Sequence, residues 1–150
     1  ILREERNVYF IFTFNDRPCG FGSAYESDRP STGEWGIYLG CPAVHPLAGG
    51  ILSAFCISMA FRTLQIKKLR AEVNENNHHV YSFLTRIGFQ QFAPVNRPSI
   101  KIKSSDNLLR HLELSDKKWA TTQKKLWSLF PGHQIRPLQE MLRAGVINSP

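Results

Sequence analysis

A chain of 150 residues with a formal net charge of +7 and 42% hydrophobic content has the length for one domain around a single core and the composition of a globular protein. No apolar run approaches the roughly 20 residues of a membrane-spanning helix, and the opening ILREER sets charges where a signal peptide would be apolar. Cys19, Cys41 and Cys56 form no CxxC pair, which points away from a disulfide framework or a metal site and toward a reducing, cytoplasmic setting.

The chain begins without Met and as if inside a helix, so it is expected to be a piece of a longer protein lacking its N-terminal segment. Residues 7–15, NVYFIFTFN, are aromatic and β-branched and read as a strand. Asp16-Arg17-Pro18-Cys19-Gly20 reads as a turn, and residues 21–26 as the second strand of a hairpin. After the polar loop SDRPSTG, residues 34–39, EWGIYL, form a third strand ending at Gly40-Cys41-Pro42.

His45-Pro46-Leu47-Ala48-Gly49-Gly50 then leads into an apolar stretch. Ile51, Leu52, Phe55, Met59 and Leu64 recur at helical spacing, predicting an amphipathic helix laid on the sheet. Glycines at a helix start let a bound group approach the backbone, and the unpaired first-turn N–H groups with the helix dipole suit an anion. Residues 69–73, LRAEV, alternate as a strand. The connection through the helix is a crossover, which sets this strand parallel to the third. Asn77 is placed to open another helix carrying Val80, Phe83, Leu84 and Ile87, and Gly88 to stop it in a left-handed conformation.

Residues 89–95 and 108–114 read as two further strands, with SIKIK (99–103) belonging to one of them or to a hairpin between them. A basic, Trp-bearing helix over 116–130 follows. Pro131-Gly132 breaks it, and a last helix over 135–144 stops at Gly145. The expected organisation is one α+β domain over 1–119 and a helical extension over 120–150, which would pack on a missing part of the protein or on a second copy. The basic residues are spread along the chain without interleaved aromatics, which suits a small anionic ligand better than nucleic acid.

The order hairpin, strand, glycine loop, helix, strand, helix, Gly-Phe, strand, strand resembles the GNAT fold of acetyl-CoA-dependent N-acetyltransferases. The residues that carry the resemblance are EWGIYLG (34–40), MAFRTLQIKKLRAEV (59–73), Asn77 and RIGF (86–89). They look most like the PseH-like subgroup, which acetylates the 4-amino group of a UDP-linked amino sugar. LELSDKKW (112–119) is similar to that subgroup's closing strand and helix start, so the resemblance covers about residues 7–119. It implies a mixed, mostly antiparallel sheet flanked by helices, acetyl-CoA as acyl donor with no metal, and transfer to a small-molecule amine. A protein or peptide amine as acceptor, or a non-catalytic acyl-CoA-binding domain, remain as alternatives.

By the same resemblance the third strand should part from the strand over 69–73, and an extended pantetheine arm can then add itself to the open backbone of Ile37, Tyr38 and Leu39. The pyrophosphate would fall on the amides of Ala48, Gly49, Gly50 and Ile51, with Asn77 reaching pantetheine or phosphate. The family loop, [RQ]-x-x-G-x-[GA], is eroded: Val44 and Leu47 stand at its first two fixed positions and only Gly49 survives. Glu72 occupies the glutamate position from which related amino-sugar acetyltransferases act as a base, with Glu34 as a second carboxylate at a cleft-facing strand end. An ion pair with Arg70 or a lysine is the competing role for Glu72. Leu84 stands where many members carry a tyrosine acid, and Tyr81, three residues earlier, is the candidate substitute. Trp35 and Tyr38 could line the acceptor pocket.

Overall fold

The computed structural model of the chain describes residues 7–14, 17–40, 48–93 and 108–128, with nothing of the side chains of Phe14 and Trp127. Their order is β1 (Asn7–Phe14), β2 (Arg17–Glu26), β3 (Thr32–Leu39), α1 (Ala48–Leu64), β4 (Lys68–Asn74), α2 (His78–Arg86), β5 (Gln90–Gln91), β6 (Leu109–Ser115) and α3 (Asp116–Ser128). The strands make one sheet in the order β1-β2-β3-β4-β6-β5, antiparallel at every join except that of β3 with β4. The α+β architecture expected from the sequence is present.

The side-chain period of two sorts the sheet into unlike faces. Val8, Phe10, Ala24, Trp35, Leu69, Ala71, Val73, Leu112 and Leu114 are buried. Phe10 meets Phe55 of α1 edge-on at 5.2 Å, so α1 covers this face. The alternate residues Tyr9, Ile11, Phe21, Tyr25 and Tyr38 are exposed on the opposite face, Ile11 by 75%.

Two elements differ from expectation. The segment Arg17–Gly20, read as a turn, is the start of β2 and pairs with Phe12–Phe14 across a register shift between Phe12 and Thr13. Pro18, which has no N–H to give a ladder, sits beside that irregularity. Gly20 is there for close approach: a Cβ would lie 2.4 Å from the Tyr38 carbonyl oxygen. The second difference is α1, which is not amphipathic. Residues 52–60 are buried without a break, because the sheet lies on one side and α3 on another. Ser58 donates to the Ala54 carbonyl at 2.7 Å and accepts from Trp119 Nε1 at 3.3 Å and Gln123 Nε2 at 2.9 Å.

Local signals end the helices as their chemistry requires. Asn77 Oδ1 accepts from the Val80 N–H at 3.2 Å and caps α2. Gly88 follows α2 at φ +106°, a conformation that side chains resist. Of the strand expected over 89–95, the described residues 89–93 show Gln90–Gln91 as strand, and 94–95 lie outside them. The expected strand over 99–103, the Pro131-Gly132 break and the helix over 135–144 lie outside the described residues.

Candidate active site: a fork between two strands

Strands β3 and β4 pair only at Thr32 with Lys68, Gly33 with Leu69, and Glu34 with Arg70. Beyond that point β3 continues on β2 and β4 continues on β6, so the two strands separate and their facing edges form no ladder with each other. Buried N–H and C=O groups need partners, and an open fork is therefore a place for an extended ligand to complete the ladder.

The larger cavity, about 640 Å³, fills the fork. Gly36, Ile37, Tyr38 and Leu39 form one wall and Ala71 to Asn74 the other. Gly49, Gly50 and Ser53 of α1 close one side, and Asn77, His79, Val80, Phe83 and Leu84 another. Six of the expected cofactor contacts (Ile37, Tyr38, Leu39, Gly49, Gly50 and Asn77) thus come together, whereas Ala48 and Ile51 are not in the lining and Ala48 is buried. A Cβ on Gly36 would meet nothing within 4 Å, so the backbone there faces open space. Asn77 uses its carbonyl oxygen on the α2 cap, which leaves its NH2 end as the group to offer a ligand. Leu84 lines this cavity at 2% exposure. No lysine or arginine lies among the lining residues. His45, Val44 and Leu47 fall outside the described residues.

A second cavity, about 150 Å³, opens beside the fork and is polar. Its carboxylates are Glu34 and Glu72. Tyr25 Oη donates to Glu34 Oε2 at 2.7 Å, and Glu72 Oε1 lies 3.4 Å from His111 Nδ1. Arg70, which with a lysine is the competing ion-pair partner for Glu72 in the sequence, is engaged with Glu113. Arg70 gives Nε and Nη2 to Glu113 Oε2 at 2.9 and 2.7 Å and lies 4.4 Å from the Phe92 ring centroid. Burial pushes the Glu113 carboxyl up, but hydrogen bonds and charge from Lys68 and Arg70 outweigh it and hold the group below the usual carboxylate range.

Trp35, Ala71 and Glu72 belong to both cavities, which therefore meet at the crotch of the fork. Trp35 stacks on Phe89 with ring centroids 6.0 Å apart, and its indole Nε1 is buried with no hydrogen-bond partner among the described residues. Tyr38 lines only the larger cavity. Tyr81 lines neither, and the Arg110 guanidinium stands 4.3 Å from its ring centroid.

Sequence reasoning passed over His111, Tyr25 and Phe92. Tyr25 and His111 reach the second cavity through strand register and Phe92 from just past β5, and the one available signal was alternation: Glu72 faces His111 in the β4–β6 ladder. Other chemistry is not assembled. No group of three or more His, Cys, Asp or Glu side chains could hold a metal among the described residues. Burial pushes the Cys56 thiol up to about 12, so it is no nucleophile. No described helix is long and apolar enough to cross a membrane.

No protein-family model and no curated protein sequence matches the chain. Solved structures share its fold. The Campylobacter jejuni N-acetyltransferase PseH in complex with acetyl coenzyme A superimposes with a TM-score of 0.54 at 19% identity, over 73% of this chain and 68% of that one. FdhC, a nucleotide-linked sugar GNAT in its apo form, gives 0.60 at 22% identity, over 79% and 62%. Mycobacterium smegmatis RimJ in complex with CoA-disulfide gives 0.62 at 13% identity, over 83% and 60%. The chain has the GNAT fold and spans between 60% and 68% of the length of these three.

Proposed function

We propose that the chain is an N-acetyltransferase that moves an acetyl group from acetyl-CoA to a primary amine, that of a nucleotide-linked amino sugar as in the PseH-like subgroup. The observation that carries this reading is the meeting of two unlike cavities at Trp35, Ala71 and Glu72. The larger has the size range of a cofactor site, an open strand edge for an amide-bearing arm, and a glycine pair at a helix start. The smaller brings two carboxylates to the same point, as an amine acceptor requires.

These residues fit acetyl-CoA. Ile37, Tyr38 and Leu39 would hold the pantetheine arm by backbone hydrogen bonds, Gly49 and Gly50 would receive phosphate at the α1 N-terminus, and Asn77 would donate from its amide. When bound, the thioester supplies an electrophilic acyl carbon and a thiolate that leaves readily. Glu72, at the junction, takes the proton that the amine nitrogen must lose, directly or through one water. Glu34, held by Tyr25, orients the acceptor. The sugar amine is taken from the PseH-like resemblance of the sequence, and FdhC, which shares the fold, is itself a nucleotide-linked sugar GNAT.

One observation favours a second reading, an acyl-CoA-binding domain with little catalysis. Leu84 lines the cofactor cavity in the tyrosine's place and has no proton for the departing thiolate. The experiment that decides is to mix the protein and acetyl-CoA with UDP-4-amino sugars or with peptides bearing free N-termini, and to follow free thiol. Release with the sugars is expected. Release only with peptides would change the acceptor. A saturable thermal shift with coenzyme A but no release with any amine would leave the binding domain.

A further inference from the structure

A buried N–H without an acceptor loses its hydration with nothing in return, and natural structures hold few such groups. Here the unpartnered atom is Trp35 Nε1, on a side chain 8% exposed. Its position is unusual in a second way. Trp35 is the first residue of β3 past the last β3–β4 pair, Glu34 with Arg70, and it belongs to the walls of both cavities. With Ala71 and Glu72 it is one of the three residues at which the two cavities meet.

We infer that Trp35 Nε1–H is a hydrogen-bond donor to the oxygen of the acyl group at the crotch of the fork, and hence a further catalytic residue. The inference rests on the acetyltransferase reading above. As the amine lone pair forms the new C–N bond, the C=O π pair moves onto that oxygen. When the pair returns, the C–S bond breaks, the thiolate leaves with its electrons, and the amine's proton passes to Glu72. A donor already stripped of water, on a ring stacked against Phe89, has no solvent shell to shed before it meets the growing charge. Such donors are worth more in a dry site than in water. Side-chain adjustments that let an oxygen reach it are common on binding.

The test has two readouts. In the first, the Trp35 indole N–H resonance, assigned by its disappearance in Trp35→Phe, is followed while the protein is titrated with acetyl-CoA and with coenzyme A. A downfield shift is expected with acetyl-CoA and not with coenzyme A, which lacks the acyl oxygen. Saturable binding of both with an unmoved or equally moved Trp35 signal would overturn the inference alone. Failure of either ligand to bind would overturn it together with the acetyltransferase reading. In the second readout, Trp35→Phe keeps a six-membered ring to stack on Phe89 and removes the donor together with part of the bicyclic ring. Its kcat should fall by about 10²–10³, the usual loss of one such donor, with KM for acetyl-CoA changed less than about threefold. Unchanged kcat, or a loss lying entirely in KM, would also overturn the inference.

Discussion

The two cavities share three residues and differ in almost everything else. The larger is walled by open backbone, glycine and mostly apolar side chains, and no lysine or arginine among the described residues lines it. The smaller is walled by side chains already committed to one another: Tyr25 to Glu34, His111 beside Glu72, and Arg70 to Glu113. The contrast comes from strand pairing. Where β3 and β4 part, main-chain groups become the recognition surface, and an edge of that kind binds any extended amide arm. Where β4 stays paired to β6 for seven residues, the ladder is closed and only side chains remain to discriminate. The first arrangement suits a donor common to many reactions, the second an acceptor that must be told apart from others.

Breaking the shared wall should do most. Glu72→Gln keeps the shape and removes the carboxylate proposed as base, and kcat should fall by roughly 10²–10⁴ while the thermal midpoint stays near that of the parent. Unchanged turnover would take Glu72 out of the proton transfer.

Glu113→Gln attacks the support of the smaller cavity and leaves the Arg70 guanidinium, 17% exposed, without its carboxylate. Stability at neutral pH should drop by about 1–3 kcal/mol, read by urea unfolding. Because the Glu113 carboxyl is held below its ordinary range in the fold, its contribution is complete above the unfolded carboxylate range. It is lost as pH falls through the depressed folded value. The gap between parent and variant should therefore close in acid, and a gap constant down to pH 2 would refute the assignment.

Gly49→Ala tests the larger cavity. The new methyl would lie 3.5 Å from Leu39 Cδ1, an ordinary contact, so the fold should tolerate it and α1 should gain up to about 1 kcal/mol. The backbone N–H stays, but the methyl stands where a phosphate would approach, so coenzyme A affinity should nevertheless weaken by about tenfold, as when one hydrogen bond to a ligand is lost. Equal affinity would move the phosphates away from Gly49. The smallest effect is expected from Leu84→Tyr. It overpacks a buried site at about 1–3 kcal/mol, yet it restores a hydroxyl near the departing sulfur and should raise kcat by no more than about tenfold.

Much of this arrangement could be read from one-dimensional patterns. Aromatic and β-branched runs marked β1 and β3, helical spacing marked α1 and α2, and Gly88 marked the helix stop at φ +106°. The open backbone of Ile37 to Leu39 followed from a resemblance and not from periodicity. What escaped depends on distant partners. Pro18 and Gly20 look like turn residues until Gly20 is seen against the Tyr38 carbonyl. The burial of α1 on all sides needs α3, whose Trp119 is 61 residues from Ser58. His111 joins Glu72 only through the β4–β6 register, which local sequence does not encode.

Cys56 lies against β2, where a Cβ on Gly22 would come within 2.5 Å of its sulfur. With no exposed surface and a thiol pushed up to about 12, it stays silent toward alkylating reagents while the fold is closed. Its modification rate, located by mass spectrometry, is therefore a clock for opening of the core. The same silence keeps it out of any colour reaction used to count the coenzyme A that turnover sets free.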